Sequence, residues 1–372
     1  MSPGRPVRDA LRAAALPWLA SRLVVVAALV VAKFVAGSAH ASAKAKAAAH
    51  AGLLGWDASW YERIAAHGYG GAGRASLRFF PLFPLLARGL ALAPAVSAGT
   101  AVIVIANLAA LAALALIYAL VRYETGDEEA AHRAPWLLAL FPVAFVLVMG
   151  YAEALLLVLS LAMFLCLRSQ RFAWAALAGL LAGLCRPVGL LLVVPALVEG
   201  LRGWRRLAAE ERVTRALAVL GAPVGTAIFL VWSKFHDGSY LLPFREQVST
   251  TNRGGLADPL STIGHDADDL IHFHHFGTAL HAPWAILLVL LAAVAFRKWP
   301  FAYGAYAVAT LAVGLTAPNL TSLERYGLAC FPFVLAIVSL TGKPRIHWSV
   351  LALSTAALVG YSVLTFLGVY IP

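Results

Sequence analysis

Apolar residues run along this chain in long unbroken blocks, and the polar residues fall mainly between them. A block of about 20 apolar residues is long enough to cross the hydrocarbon of a bilayer as a helix. The blocks lie near 17–36, 98–121, 135–149, 153–167, 172–184, 187–200, 216–235, 282–296, 301–316, 327–341 and 348–368. Those between Pro135 and Glu199 are short, and the Gly, Pro and charged residues between them point to tight hairpins or broken helices. Because the runs are continuous rather than alternating, they do not fit a closed β-barrel. The expectation is an all-α polytopic membrane protein, a single domain over 1–372 with ten or eleven transmembrane helices.

Composition agrees. With 61% hydrophobic and 13% charged residues and a mean hydropathy of +0.81, the chain carries more apolar surface than a soluble core can hide. The net charge of +11 is spread over short loops, which fits membrane orientation and not nucleic acid. Cys166, Cys185 and Cys330 have no paired spacing and read as small core residues.

Basic residues mark one side as cytoplasmic: Arg5, Arg8 and Arg12, then Arg122, Arg133, Arg168, Arg171, the run from Arg202 to Arg215, Arg297, Lys298, Lys343 and Arg345. Two long loops, 37–97 and 236–281, then fall on the outer side. The basic start, the first apolar block and Ala39-His40-Ala41 also resemble a secretory signal with a cleavage site. Outside the cytoplasmic loops the acids are few: Asp57 and Glu62 in the first loop, Glu153 in a short connection, several in the second loop, and Glu324. Arg186 and Arg325 sit at outer helix ends. Charge delivered to one aqueous boundary by distant segments suits an active site there, although wet loops are polar in any case.

The first loop holds Trp56-Asp57-Ala58-Ser59-Trp60-Tyr61-Glu62-Arg63-Ile64-Ala65-Ala66-His67-Gly68-Tyr69, then Phe79-Phe80-Pro81-Leu82-Phe83-Pro84. On a helix, Asp57, Tyr61, Ile64 and Ala65 share one face, while Trp56, Trp60, Arg63 and His67 share the next. Such a helix would lie in the interface, with or without chemistry.

These residues resemble the signature of the PIG-V family, the second mannosyltransferase of GPI-anchor assembly, within the C-type glycosyltransferase superfamily. W-D-A, I-A-x-H-G-Y and F-F-P-x-F-P carry the match. Tyr151-Ala152-Glu153-Ala154-Leu155 is similar to the family's Y-S-E-A-L, and Cys185-Arg186-Pro187-Val188-Gly189-Leu190 to its R-S-N-G-L. The likeness covers about 50–195, with Glu324-Arg325-Tyr326 an unspecific echo beyond it. Arg74 and Arg78 stand where family members often show an acid, and Pro187 and Val188 replace the Ser and Asn of the last motif.

The resemblance implies inverting transfer of mannose from a polyprenyl-phosphate sugar to an acceptor hydroxyl on a glycan, lipid or protein, at the non-cytoplasmic face. It places the superfamily's essential outer-loop acid at Asp57, the expected base, with Glu62 second. Arg186 and Arg325 suit the leaving phosphate or pair with Glu153 or Glu324. Trp56, His67, Tyr69 and Glu153 complete the expected substrate contacts. Ala- and Arg-rich, Lys-poor usage points to a GC-rich bacterium and its plasma membrane, with the amino terminus inside.

The patch His265, Asp266, Asp268, Asp269, His272, His274, His275 and His281 reads either as a wet loop or as a divalent-cation site. The rival from another class is a transporter or flippase of lipid-linked sugars. Such proteins show internal repeats and ionisable residues near the midplane, and neither is expected here.

Overall fold

The computed structural model describes residues 5–248, 255, 257–272, 280–317 and 320–370. Among them the chain is helical throughout, without strands. The amino-terminal half holds α1 (Arg5–Ala36), α2 (Ala43–Ala51), α3 (Asp57–Ala72), α4 (Leu82–Leu90), α5 (Ala98–Thr125), α6 (Glu128–Ala139), α7 (Glu153–Arg168) and α8 (Phe172–Cys185). After these come α9 (Val193–Gly200), α10 (Ala209–Asp237), α11 (Leu242–Gln247) and α12 (Pro259–Ile271). The chain ends with α13 (Ala282–Lys298), α14 (Phe301–Leu315), α15 (Leu323–Ala329), α16 (Pro332–Leu340) and α17 (Pro344–Phe366).

The all-α polytopic expectation holds, but fewer helices are full length than the ten or eleven expected. By length and composition, α1, α5, α10 and α17 can cross a membrane, and α15 with α16, bent by 79°, would make a fifth. The other blocks form shorter helices. The 135–149 block breaks after Ala139, and the irregular backbone that follows, including a 3-10 turn at Ala144–Leu147, lies among buried side chains from Val143 to Ala152. Non-helical backbone is tolerated at membrane depth when protein covers it. The second outer loop likewise contains helix, α11 and α12.

Small residues set the closest helix pair. Gly179 and Gly183 on α8 face Ala222 and Thr226 on α10, Gly221 and Gly225 on α10 face Ala176 and Leu180 on α8, and a Cβ on Gly183 would run into the Ala222 carbonyl. Thr226 Oγ1 donates to the Gly183 carbonyl at 3.3 Å. Paired small-xxx-small stripes let backbones approach without relying on a hydrophobic drive that lipid removes. This contact fixes the carboxyl end of α8, where Arg186 follows.

One expectation needs correction: the interiors of the spans are not free of ionisable residues. Arg22 lies midway along α1, where Nε donates to Asn107 Oδ1 at 2.9 Å and Nη2 to the Leu147 carbonyl at 2.9 Å. Nη1 reaches the Ser21 hydroxyl at 2.8 Å and the Trp18 carbonyl at 3.3 Å. Neutral acceptors satisfy this guanidinium, and it ties α1 to α5 and to the turn before α7.

Candidate active site

α3 starts abruptly. Trp56 has φ 56°, unusual for a residue with a side chain, and its indole Nε1 donates to the Thr365 carbonyl at 3.2 Å. Strained backbone of this kind persists where its surroundings over-determine it. Asp57 then opens the helix, and its amide donates to the Tyr151 hydroxyl at 3.3 Å. The expected faces of α3 are realised in part: Tyr61, Ile64 and Ala65 are buried, with Ala58, and Asp57 is half-buried, whereas Arg63 and His67 are exposed and Trp56 and Trp60 half-buried.

Three other segments converge on this first turn. Glu153 heads α7 with its side chain 1% exposed. Arg186 caps α8 in extended conformation. Arg325 occupies the first turn of α15, just after Ser322 at φ 68°. Arg325 Nη1 meets Asp57 Oδ2 at 2.8 Å, and its Nε lies 3.6 Å from Glu153 Oε1. Arg186 Nη1 lies 2.5 Å from the same Glu153 oxygen. The Arg325 guanidinium also covers the Tyr151 ring, 5.3 Å from its centre.

Two features set the cluster apart. The Asp57 side chain keeps 26% of its surface exposed, so the site opens through it. Neither Glu153 oxygen, nor Arg186 Nη1, nor Arg325 Nε has a partner in hydrogen-bond geometry. Charges close enough to attract but not bonded are positioned to exchange partners. Burial works to raise the Asp57 pKa, but Arg325, then Arg186 and Arg78, outweigh it and hold the carboxyl below its ordinary value.

Of the expected site residues, Asp57, Glu153, Arg186 and Arg325 come together, with Trp56 adjacent. Glu62 lies elsewhere, its Oε1 against Gly99 in the first turn of α5, where a helix amino terminus favours an anion. Tyr69 ties the end of α3 to its surroundings: its hydroxyl donates to the Phe79 carbonyl at 2.7 Å, and its ring packs on Phe229 and Trp232 of α10. Arg325 and Arg186 both pair with Glu153 and not with Glu324. Glu324 instead takes His281, whose Nδ1 sits 2.6 and 2.8 Å from its two oxygens, both side chains fully buried.

That contact removes His281 from the expected metal patch. Among the described residues no group of three or more His, Cys, Asp or Glu is arranged to hold a metal. His274 and His275, and the side chains of Asp266 and Asp269, lie outside the described residues. Tyr151 and Arg78 also belong to the site, although neither was among the residues expected there. Tyr151 sits two residues before Glu153 in a motif already quoted, which is a usable signal. Arg78, stacked 4.8 Å over Phe79, looks in sequence like any loop cation.

Comparison with known families assigns the chain to one of them. The family model Mannosyltransferase (PIG-V) matches residues 25–242. The chain belongs to the PIG-V mannosyltransferase family. No curated protein matches the chain, and no solved structure does. Family membership makes it a membrane mannosyltransferase acting on a sugar donor and an acceptor. Asp57, Glu153 and Arg186 lie within the matched span, while Arg325 comes from beyond it.

Proposed function

We propose that the protein transfers mannose from a polyprenyl-phosphate donor to an acceptor hydroxyl, with inversion, at the non-cytoplasmic face of a bacterial plasma membrane. The observation that carries this reading is the Asp57–Arg325 pair, a partly open carboxylate held by a guanidinium that is itself short of hydrogen bonds. A lipid phosphate entering the site offers Arg325 and Arg186 oxygens matched to their paired donors. Arg325 then turns from Asp57 to the phosphate, and the freed carboxylate becomes more basic.

In the transfer, the acceptor oxygen forms the new bond to the sugar's anomeric carbon as the bond to phosphate oxygen breaks. The acceptor proton passes to Asp57, and the departing electron pair rests on the phosphate beside the two guanidiniums. Trp56 and Tyr151 fix the Asp57 backbone, while Glu153 keeps Arg186 and Arg325 apart and aimed. His67, exposed at the far end of α3, suits the acceptor, while Tyr69 holds that end in place through Phe79 and α10. A transporter reading draws no support from Arg22, whose donors are already satisfied by neutral groups.

Membranes containing the protein should move radiolabel from polyprenyl phosphate mannose to an extractable product, and membranes with Asp57→Asn should not. Label released from GDP-mannose but never from the lipid donor would remove the donor assignment.

A further inference from the structure

A hollow of about 320 Å3 opens between the Glu129–Trp136 face of α6 and the start of α17. It lies at the opposite end of the bundle from Asp57. α17 runs from Pro344 at the hollow to Thr365, which accepts from Trp56, a rise of about 32 Å at helical spacing.

The walls combine apolar and cationic groups. Trp136, Trp348 and Leu351 supply the apolar surface, and Trp348 is 66% exposed toward the surroundings of the bundle. Arg133 is set into this wall with its side chain only 16% exposed and its Nε without a hydrogen-bond partner. Its ion-pair contact is loose, 3.6 Å to Glu129, whose side chain is 88% exposed. His347 is 8% exposed, and its Nδ1 has no partner. α17 itself begins without a side-chain cap, so its opening amides add positive potential. His132 lines the rim, and Lys343 and Arg345 flank Pro344.

A guanidinium Nε and an imidazole Nδ1 set against tryptophan without partners are unfavourable unless a ligand completes the site, and the guanidinium's charge favours an anion. We propose that this hollow binds the phosphate-bearing headgroup of an anionic phospholipid. Phosphate oxygens would accept from Arg133 and from the α17 amides. The tryptophans mark the headgroup depth of a spanning helix, and the apolar wall running out through Trp348 receives an acyl chain. A free phosphate shares the headgroup chemistry but would leave that wall unused. Glu129 opposes the anion from the rim.

The test uses the full chain in a neutral maltoside detergent, with thermal stability followed as lipid is added. Dioleoyl phosphatidylglycerol should raise the midpoint and dioleoyl phosphatidylcholine should not. Arg133→Gln should weaken the apparent affinity for phosphatidylglycerol about tenfold, the loss of a charge-assisted hydrogen bond. Glu129→Gln, at an exposed position, should tighten it. An equal response to both lipids, or the same shift from inorganic phosphate alone, overturns the proposal. If Arg133→Gln fails to fold, Glu129→Gln decides: affinity unchanged or weakened there also overturns it.

Discussion

Two charged clusters sit at the ends of one buried helix and are built differently. Glu153 and Arg168 are the first and last residues of α7, about 22 Å apart along its axis. At the Arg168 end the carboxylates are bonded, and of the buried guanidinium atoms only Arg215 Nε is left without a partner among the described residues. Arg168 donates to Glu124 at 2.6 and 3.2 Å and to Glu199 at 3.3 Å, and the Tyr303 hydroxyl donates to Glu124 at 3.0 Å. Arg215 donates to the Arg202 carbonyl at 2.7 Å and to Gln170 at 3.2 Å. At the Glu153 end, at similar burial, Arg325 donates to Asp57 at 2.8 Å, but both Glu153 oxygens and the facing Arg186 Nη1 and Arg325 Nε approach without completing hydrogen bonds. A satisfied network holds elements together, whereas an unsatisfied one is a site waiting for a ligand.

The largest effect should come from Asp57→Asn. The exchange keeps the shape but removes the base, so transfer should fall about a hundred- to ten-thousandfold, while insertion and a monodisperse profile in detergent persist. If activity remains within severalfold of the parent, the cluster is structural like its counterpart and the contrast fails.

Glu199→Gln is the matching test at the other end. Glu199 is 1% exposed between Arg168 and Arg202, and removing one partner of a buried pair costs about 3–5 kcal/mol. The expected result is a large drop in melting temperature, with the surviving folded fraction retaining its turnover. Lost turnover at unchanged stability would instead give this end a part in catalysis.

A smaller effect should follow from His281→Asn. His281 grips Glu324, the neighbour of Arg325, and so acts as a positioning residue. The donor KM should rise about tenfold, the scale of one hydrogen bond to a charged group, with kcat less affected. If kcat falls while KM stays unchanged, His281 is not acting through a phosphate-binding Arg325.

Much of this was legible in the sequence. Continuous apolar blocks located the helices, and the W-D-A, Y-A-E-A-L and R-P-V-G-L segments held three of the four charges that converge. What stayed hidden were relations across space. Arg325 lies 268 positions from Asp57, and although the sequence marks it for the leaving phosphate, nothing in its local pattern pairs it with Asp57. The Gly179–Gly183 and Gly221–Gly225 stripes went unread because small residues in apolar blocks look like ordinary core. Glu62, five residues after Asp57 and ranked second to it, is turned by helix geometry toward Gly99 of α5. Arg22 was overlooked because hydropathy averages a single cation away, while its acceptors Asn107 and Leu147 come from other segments.

The smallest effect concerns pH and sharpens the comparison at Asp57 itself. Its folded pKa is held below the ordinary value because Arg325, Arg186 and Arg78 outweigh burial. A lowered carboxylate pKa contributes stability that is fully present above the unfolded value, about 3.9, and is lost as pH falls through the folded value. The parent should therefore melt slightly higher than Asp57→Asn at neutral pH, by about 2 °C. The gap should stay constant down to about pH 5 and close only below the ordinary carboxylate range. Melting curves of both proteins in detergent between neutral and strongly acidic pH check this. A gap that widened on acidification would mean that burial, not the guanidiniums, dominates at Asp57, leaving the carboxyl protonated and unable to attract Arg325.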